Sequence, residues 1–515
     1  MSFAWEWVLT ASQQQSVDEE AVRCGTPSET LMQSAGRNAA EWILSHRRPQ
    51  SAVVLAGPGG NGGDAWVVAG LLCDAGVNVR AFTWRPLDSC ARLTRKMGDG
   101  CRTRGVTIDV LGDGLSSLSD GLVGADLVVD GLFGSGLSRP LSETAAAIVD
   151  VVGRSGVPIV SLDVPSGLAS DTGDLIGPAF QADVTVAMAF YKPCHWLYPA
   201  AAHCGRVAIV GVDYPPEALA SAAPTATVPT PAVVSSLLPS RRPDGHKGTF
   251  GHVVAVVGSQ GMTGAAILCA RGALRAGAGR VTLALPETIA PTVQHAVPEA
   301  LTIPLPDRDG RLTDPELAER LLPTVAGADA LAVGPGLSRD EGTKALVRRL
   351  LQASTVPCVV DADALYTLAG DAALCASLAD RGVVTPHPGE FAAWVGSDAA
   401  SVDRARMSEA AAFIARPGPV LVLKGRPTII ASTDGGMVVN PTGNTGLATG
   451  GSGDVLTGLI AGLMAGGCRP QDAAVVGSYL HGGAADRWAI GHAERAMTPS
   501  DVLDLLPGLL KELEP

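Results

Sequence analysis

The sequence predicts two doubly wound α/β domains in one chain of 515 residues, on three observations. Short β-branched runs alternate with helix-length stretches, nearly every run ends in Gly, Asp, Pro or His, and a proline-rich seam divides the chain near its middle. Continuous apolar strands of this kind are covered on both faces, as in parallel sheets. Ligands of such sheets lie beyond the carboxyl ends of the strands, where polar tips line a crevice.

The first half supplies SAVVLAG from Ser51, VNVRAFTW from Val77, ADLVVDGLFG from Ala125, VPIVSLDVPSG from Val157 and ADVTVAMAF from Ala182. Between Pro215 and Pro243 the chain carries seven prolines and almost no charge until Arg241. Proline fixes φ and removes a backbone donor, so this seam predicts an extended connector, with domains of 1–224 and 225–515. The second half resumes with GHVVAVVGS from Gly251, GRVTLALP from Gly279, DALAVGPG from Asp329, PCVVDADAL from Pro357, GVVTPHPGE from Gly382 and PVLVLKG from Pro419. No internal repeat relates the halves, which are expected to be different domains.

Bulk properties narrow the function. Apolar residues make up 46% and charged residues 17%, the balance of a globular enzyme. A net charge of −13 argues against nucleic acid, whose phosphates need a basic surface. No apolar run is long enough to span a membrane, and MSFAWEWVLTASQQQSVDEE lacks a basic leader, so a cytoplasmic protein without membrane partners is expected. The ten cysteines are scattered singly without a CxxC pair; neither zinc nor a disulfide framework is expected, and most should be small buried hydrophobes.

Residues 443–458, GNTGLATGGSGDVLTG, set six glycines around one carboxylate, Asp454, ahead of an apolar run. A glycine loop that opens a helix aims backbone N–H groups and the helix's partial positive charge at one point, an anion site with Asp454 beside it. Aspartate is also a favoured N-cap, and that reading stands next to the first. The other strand tips offer GSQGMTGAA at 258–266, GPG at 334–336, Asp361 and Asp363 in DADAL, TPHPGE at 385–390 and Lys424 in LKGRPT. One crevice would collect them. Asp361 and Asp363 suit a divalent cation bridging phosphates, or equally the orientation of loops.

From His246 to Gly458, with NPTGNTGLATGGSGDVLTG as the most specific string, the second half resembles the ADP/ATP-dependent NAD(P)HX dehydratases of the ribokinase-like superfamily. The resemblance implies that Asp454 is the base for the hydroxyl of a hydrated nicotinamide, while loop amides stabilise the transferred phosphoryl group. Phosphorylation turns that hydroxyl into a leaving group, and elimination restores NAD(P)H. By the same resemblance Ala265, Gly336, His387 and Asp454 line the hydrate, Lys424, Gly425, Arg426, Pro427, Thr428 and Gly453 hold ADP or ATP, and Mg²⁺ accompanies the nucleotide. His387 could instead orient a strand-end turn, and Lys424 could be a surface lysine.

AGPGGNGGDAWVVAGLL follows a strand in the first half but lacks the GxGxxG spacing and later acidic residue of an ordinary dinucleotide dehydrogenase. The stretch from Leu9 to Gly211 resembles instead the NAD(P)HX epimerases, with a Rossmann-like fold, often fused ahead of the dehydratase. GPGGNGGDA at 57–65, VVDGLFGSGLSRP at 128–140, LDVPSG at 162–167 and AFYKP at 189–193 carry the likeness. It implies that Gly60, Asn61, Gly62, Gly63 and Asp64, with Gly134, Ser135, Gly136, Leu137, Ser138, Arg139 and Pro140, hold the hydrate. Asp163 would contact the hydrated ring as acid/base group, or merely form an Asx-type turn before Pro165. Lys192 would join the catalytic set by contacting phosphate, or snorkel at the surface. Asn61, Asp130 and Ser166 would bind K⁺.

The half departs from the family pattern at Gly60, at Ala65 and in LMQSAG at 31–36, while the cation ligands stay in place. Together the halves imply a bifunctional NAD(P)H-hydrate repair enzyme acting on NADHX and NADPHX, as a homo-oligomer. The rivals are a small-molecule kinase built on the same GxGD loop and a first half that binds nucleotide without turnover. No residue distinguishes ADP from ATP.

Overall fold

The eleven apolar runs all fold as strands. In the computed structural model, which describes residues 5–111 and 114–514, the chain divides into the units Met1–Ala226 and Thr227–Pro515. The N-terminal unit carries an all-parallel sheet in the order Thr107–Val110, Asn78–Thr83, Ser51–Ala56, Leu127–Gly131, Ile159–Leu162, Val184–Met188, Arg206–Val210. Its first three members after the chain enters run one way from Ser51–Ala56 and the rest run the other. The order therefore reverses between Ser51–Ala56 and Leu127–Gly131, the switch point at which doubly wound sheets open a crevice. Helices cover both faces, and the two apolar clusters divide cleanly, with Val54, Val129 and Val160 on one side and Val53, Val128 and Ile159 on the other. That alternation explains the unbroken hydrophobic runs.

The C-terminal unit repeats the plan on a longer sheet. Parallel strands Leu301–Leu305, Arg280–Pro286, His252–Val256, Ala330–Val333, Cys358–Val360, Gly382–Val384 and Val420–Leu423 stand side by side, followed by antiparallel Ile429–Ser432 and Gly436–Val439 and then Ala226–Pro229. Here the order reverses between His252–Val256 and Ala330–Val333.

The strands that the sequence conceals lie mostly at sheet margins. Thr107–Val110 and Leu301–Leu305 are each only partly buried, so their residues TIDV and LTIPL need not be uniformly apolar. The proline-rich seam is not an extended connector. Helices Pro216–Ala220 and Pro231–Leu237 and strand Ala226–Pro229 occupy it, and each helix takes a proline at its N-terminus, where the missing N–H has no intrahelical acceptor to lose. The cysteines are all free; Cys101, Cys194, Cys204, Cys269 and Cys358 are buried, but Cys24 is exposed and the other four lie between. Among the described residues no helix is long and apolar enough to cross a membrane.

Close packing fixes a glycine in the first turn of helix Gly60–Asp74 of the N-terminal unit. A Cβ on Gly62 would lie 1.8 Å from the carbonyl oxygen of Gly57, a backbone atom that cannot swing aside. Gly62→Ala is therefore expected to destabilise the N-terminal unit by about 1–3 kcal/mol. Thermal unfolding would show its transition lowered while that of the C-terminal unit stays in place.

Two candidate active sites

In the C-terminal unit the glycine loop does open a helix, Ser452–Ala465, and Asp454 stands in its first turn. The N-cap is Gly451, with φ 96°, so Asp454 is not the cap. This helix packs in parallel against Thr263–Arg275: added Cβ atoms at Gly458 and Gly462 would strike Cys269 O at 2.0 Å and Ala273 O at 2.6 Å. The first turns of both helices, bearing Asp454 and Ala265, thus lie at the same end. Ala265 is in turn within van der Waals reach of Gly336, whose carbonyl accepts the Ser259 hydroxyl at 2.7 Å.

Lys424 organises the floor of the site. Its Nζ lies 2.9 Å from Asp361 Oδ1 and 3.8 Å from Glu390 Oε2, and a Cβ on Gly453 would stand 3.3 Å from it. Burial disfavours the ammonium, but the Asp361 and Glu390 carboxylates outweigh it and hold the lysine above its usual range. Lys424 is thus a paired, half-buried cation at a strand tip. Asp361 gives its other oxygen to the Thr457 hydroxyl at 2.6 Å. Asp454, three residues before Thr457 on the same helix, has no hydrogen-bond partner among the described residues. Burial, then the repulsion of Asp361, raise its carboxyl to about 7, with Lys424 opposing.

Asp361 and Asp363 do not share a task. Asp363 accepts Ser338 N–H and Arg339 Nε–H, both at 2.9 Å, and so orients a loop. His387 caps the helix Pro388–Val395: its Nδ1 accepts from Gly389 and Glu390 N–H, while Glu390 Oε2 accepts from His387 N–H at 2.8 Å. The turn-orienting role is therefore real, and the ring, more than half exposed, sets its Nε2 3.5 Å from Glu390 Oε1. Glu390 ties this cap to Lys424.

The turn 424–428 rests on a residue the sequence does not flag. The buried Arg406 guanidinium donates to Lys424 O and Pro427 O, each at 3.1 Å, while Asp403 neutralises it. Five donors in a fixed fork can satisfy several carbonyls of one tight turn, which a lysine cannot. Its place in an amphipathic helix, Arg406–Ile414, gives no sequence signal.

In the N-terminal unit, helix Gly60–Asp74 starts on the predicted loop, so Gly60, Asn61, Gly62, Gly63 and Asp64 form its first turn. Asn61, Ser166 and Asp130 converge around Phe133: Asn61 Nδ2 donates to Phe133 O at 2.7 Å, Phe133 N donates to Ser166 Oγ at 2.9 Å, and Ser166 Oγ lies 2.6 Å from Asp130 Oδ1. The buried Asn61 Oδ1 is left without a partner. Gly134 and Ser135 reach Asp163, whose Oδ2 accepts Ser135 N–H at 3.2 Å. Gly136 and Ser138 to Pro140 are exposed and are not drawn into these contacts.

Lys192 does not snorkel. It is fully buried, and its Nζ donates to Asp163 Oδ1 at 2.7 Å and to Phe190 O at 3.0 Å. Burial works to raise the Asp163 carboxyl, but the Lys192 ammonium outweighs it and holds the group below its usual value. Asp64 behaves oppositely: burial, with Asp163 and Asp18 close enough to repel, pushes it well up. The two carboxyls of one site are therefore pushed in opposite directions, Asp163 down and Asp64 up.

Two family descriptions divide the chain in the same way. Residues 28–194 match that of the YjeF-related protein N-terminus, and residues 253–508 match that of NAD(P)H-hydrate dehydratase. A bifunctional NAD(P)H-hydrate repair enzyme of Moorella thermoacetica is 41% identical over 95% of this chain and 93% of its own length. The chain belongs to the bifunctional NAD(P)H-hydrate repair enzyme family. Another member, from Thermofilum pendens, is 34% identical over 98% of this chain and 96% of its own. Among solved structures, an ADP/ATP-dependent NAD(P)H-hydrate dehydratase of Bacillus subtilis, co-crystallised with ATP/Mg²⁺, is 33% identical and covers 55% of this chain and 98% of its own, with a TM-score of 0.47. Thr457, Glu390, Arg406 and His195 are further side chains that complete the two candidate sites here. Thr457 and Glu390 lie inside GNTGLATGGSGDVLTG and TPHPGE and so had a readable signal, whereas Arg406 and His195 lie in no motif.

Proposed function

We propose that the C-terminal unit dehydrates S-NAD(P)HX with ADP or ATP, giving NAD(P)H, phosphate and AMP or ADP, and that the N-terminal unit interconverts the R and S hydrates. Family membership supports the pairing of reactions, and the observation that carries the chemistry is Asp454. An unpartnered carboxyl with a pKa near 7, in the first turn of a helix opened by a glycine loop, is matched to accept a proton at working pH.

In the first step Asp454 takes the proton of the hydrate's hydroxyl as its oxygen attacks the terminal phosphoryl group, and the bond to the departing AMP or ADP breaks. Loop N–H groups around Gly453 and the Lys424 ammonium meet the charge on the phosphates. The phosphorylated oxygen then leaves as phosphate while the neighbouring ring carbon loses a proton, restoring the double bond. Ala265, Gly336 and His387 line the hydrate in this reading, and Lys424 to Thr428 hold the nucleotide over the Arg406 buttress. Asp361 and Asp363 do not fit a metal cage, because protein donors already occupy both; among the described residues no three metal-ligating side chains gather.

In the N-terminal unit Asp163 serves as the base at the hydrated carbon, with Lys192 keeping it ionised, and Asp64, whose charged form burial disfavours, serves as the acid. Asn61, with Asp130 and Ser166, suits K⁺: the orphaned Asn61 Oδ1 is an oxygen ligand the fold leaves open. When bound, the ion supplies fixed positive charge at the strand tips.

With S hydrate, reduced-nicotinamide absorbance is expected to return only when ADP or ATP is present; accumulation of a stable phosphorylated product would make this unit a kinase instead. With R hydrate and no nucleotide, the S form is expected faster than it arises spontaneously. The pH dependence follows from Asp454. Since the base must be ionised, kcat/KM for dehydration should rise with pH and level off above about 7. Rates measured from about pH 5 to about pH 9 check this, and a profile flat through neutrality would remove Asp454 from the role.

A further inference from the structure

His195 lies behind the N-terminal site, buried, and belongs to none of the loops or motifs that hold the hydrate. Its surroundings are unusual in two respects. Adjacent strands Ile159–Leu162 and Val184–Met188 both end in hairpin-tight turns closed between residues two apart: Val164 N–H to Leu162 O at 2.7 Å, and Phe190 N–H to Met188 O at 2.8 Å. The central residues, Asp163 at φ 63° and Ala189 at φ 64°, are left-handed without being glycine. Such turns are rare and strained, and persist only where the surroundings over-determine them.

The second feature is a closed ring of hydrogen bonds. Lys192 Nζ donates to Asp163 Oδ1 at 2.7 Å, Lys192 N–H donates to His195 Nδ1 at 3.1 Å, and His195 Nε2 stands 2.9 Å from Asp163 O. Because Nδ1 accepts, Nε2 carries the proton and donates to the Asp163 carbonyl. Only the neutral imidazole can close this ring. Burial, then the Lys192 ammonium, lower His195 to about 4 and keep it so. The imidazole thus fixes both backbones whose side chains form the ion pair, one at the strained turn and one three residues along its own chain.

We propose that His195 is a positioning residue for the R/S interconversion, its ring clamping the strained Asp163 turn and Lys192 so that the carboxylate is presented at the reacting carbon. This rests on the reading of Asp163 as the base. Asp163 N–H is already held by Val186 O at 2.8 Å, so the strand end survives without the clamp. What is freed is the peptide after Asp163, and with it the direction of the carboxylate. A reacting group misplaced by about 1 Å costs on the order of 10²-fold in rate.

The imidazole can be tested in halves. A glutamine amide can replace the Nε2–H donor, an asparagine oxygen can replace the Nδ1 acceptor, and leucine replaces neither. In the full-length chain, His195→Leu is expected to lower kcat for R-to-S conversion about 10- to 100-fold with KM changed by less than about twofold. Nucleotide-dependent dehydration of S hydrate by the same molecules should be unchanged. His195→Gln, which keeps the bond to Asp163 O, should recover most of the loss, and His195→Asn should recover less. Folded His195→Leu protein with wild-type kcat, or a loss confined to KM, overturns the inference. Should His195→Leu fail to fold, the Gln and Asn variants decide, and equal rates in those two overturn it. A wild-type chain that does not interconvert the hydrates, or Asp163→Asn at full rate, sinks the epimerase reading itself, which is a different result from the first.

Discussion

Asp454→Asn should reduce nucleotide-dependent turnover of S hydrate by about 10²- to 10⁴-fold, the range a positioned general base contributes. Asparagine has nearly the same shape but cannot take the hydroxyl proton. Nothing in the protein loses a partner, since the carboxylate accepts no hydrogen bond among the described residues, and Lys424 keeps its pairing with Asp361. Nucleotide affinity should therefore persist, and R/S interconversion by the same chain serves as an internal control. Stability gives an independent check. The folded carboxyl, at about 7, lies above its ordinary 3.8, so the folded state binds a proton more tightly than the unfolded state between those values. The wild-type C-terminal unit thus loses stability as pH rises from about 4 to about 7, and the asparagine variant should lack that decline. At pH 8 the variant should be at least as stable as wild type in thermal unfolding. A variant that unfolds earlier, or that keeps most of its dehydratase rate, would give Asp454 a structural role.

The parts of this protein that were legible in the sequence are those governed by neighbouring residues. Most interior strands are apolar throughout because both their faces are covered, and these were visible as runs, whereas the interior antiparallel pair Ile429–Ser432 and Gly436–Val439 was not. The first-turn position of Asp454 was legible because a glycine loop and an apolar helix are contiguous in the chain. Margin strands such as Thr107–Val110 escape notice because one exposed face relaxes the pattern. The prolines from 215 to 243 misled because the same fixed φ that extends a linker also starts a helix, and only the residues that follow decide. Side chains that act across the fold are the hardest to read. Arg406 serves carbonyls 17 to 21 positions later, Thr457 meets Asp361 across 96 residues, and His195 meets Asp163 across 32. None of those spacings has a local period. In the sequence, therefore, the chemistry could be located, but its support could not.

Lys192→Met should abolish R/S interconversion and weaken the N-terminal unit by about 3–5 kcal/mol, because it leaves the Asp163 carboxylate buried without its cation. Methionine fills nearly the same volume, so the lost charge, not a cavity, sets the size of the effect. The pH dependence tells the two apart. In wild type the Asp163 carboxyl is held below 3.8, so its contribution is present above that value and lost as pH falls through the folded pKa. In the variant, burial loses its strongest opponent, the carboxyl rises, and the defect should shrink as the medium is acidified toward protonation. Adding Asp163→Asn to Lys192→Met should recover most of the stability without restoring activity. Asparagine removes the stranded charge and, like aspartate, tolerates the left-handed backbone at φ 63°. Calorimetry of the four chains would decide the point: a double variant as unstable as the single one would mean that the ammonium supports Phe190 O and the second turn, and that its pairing with Asp163 is incidental to folding.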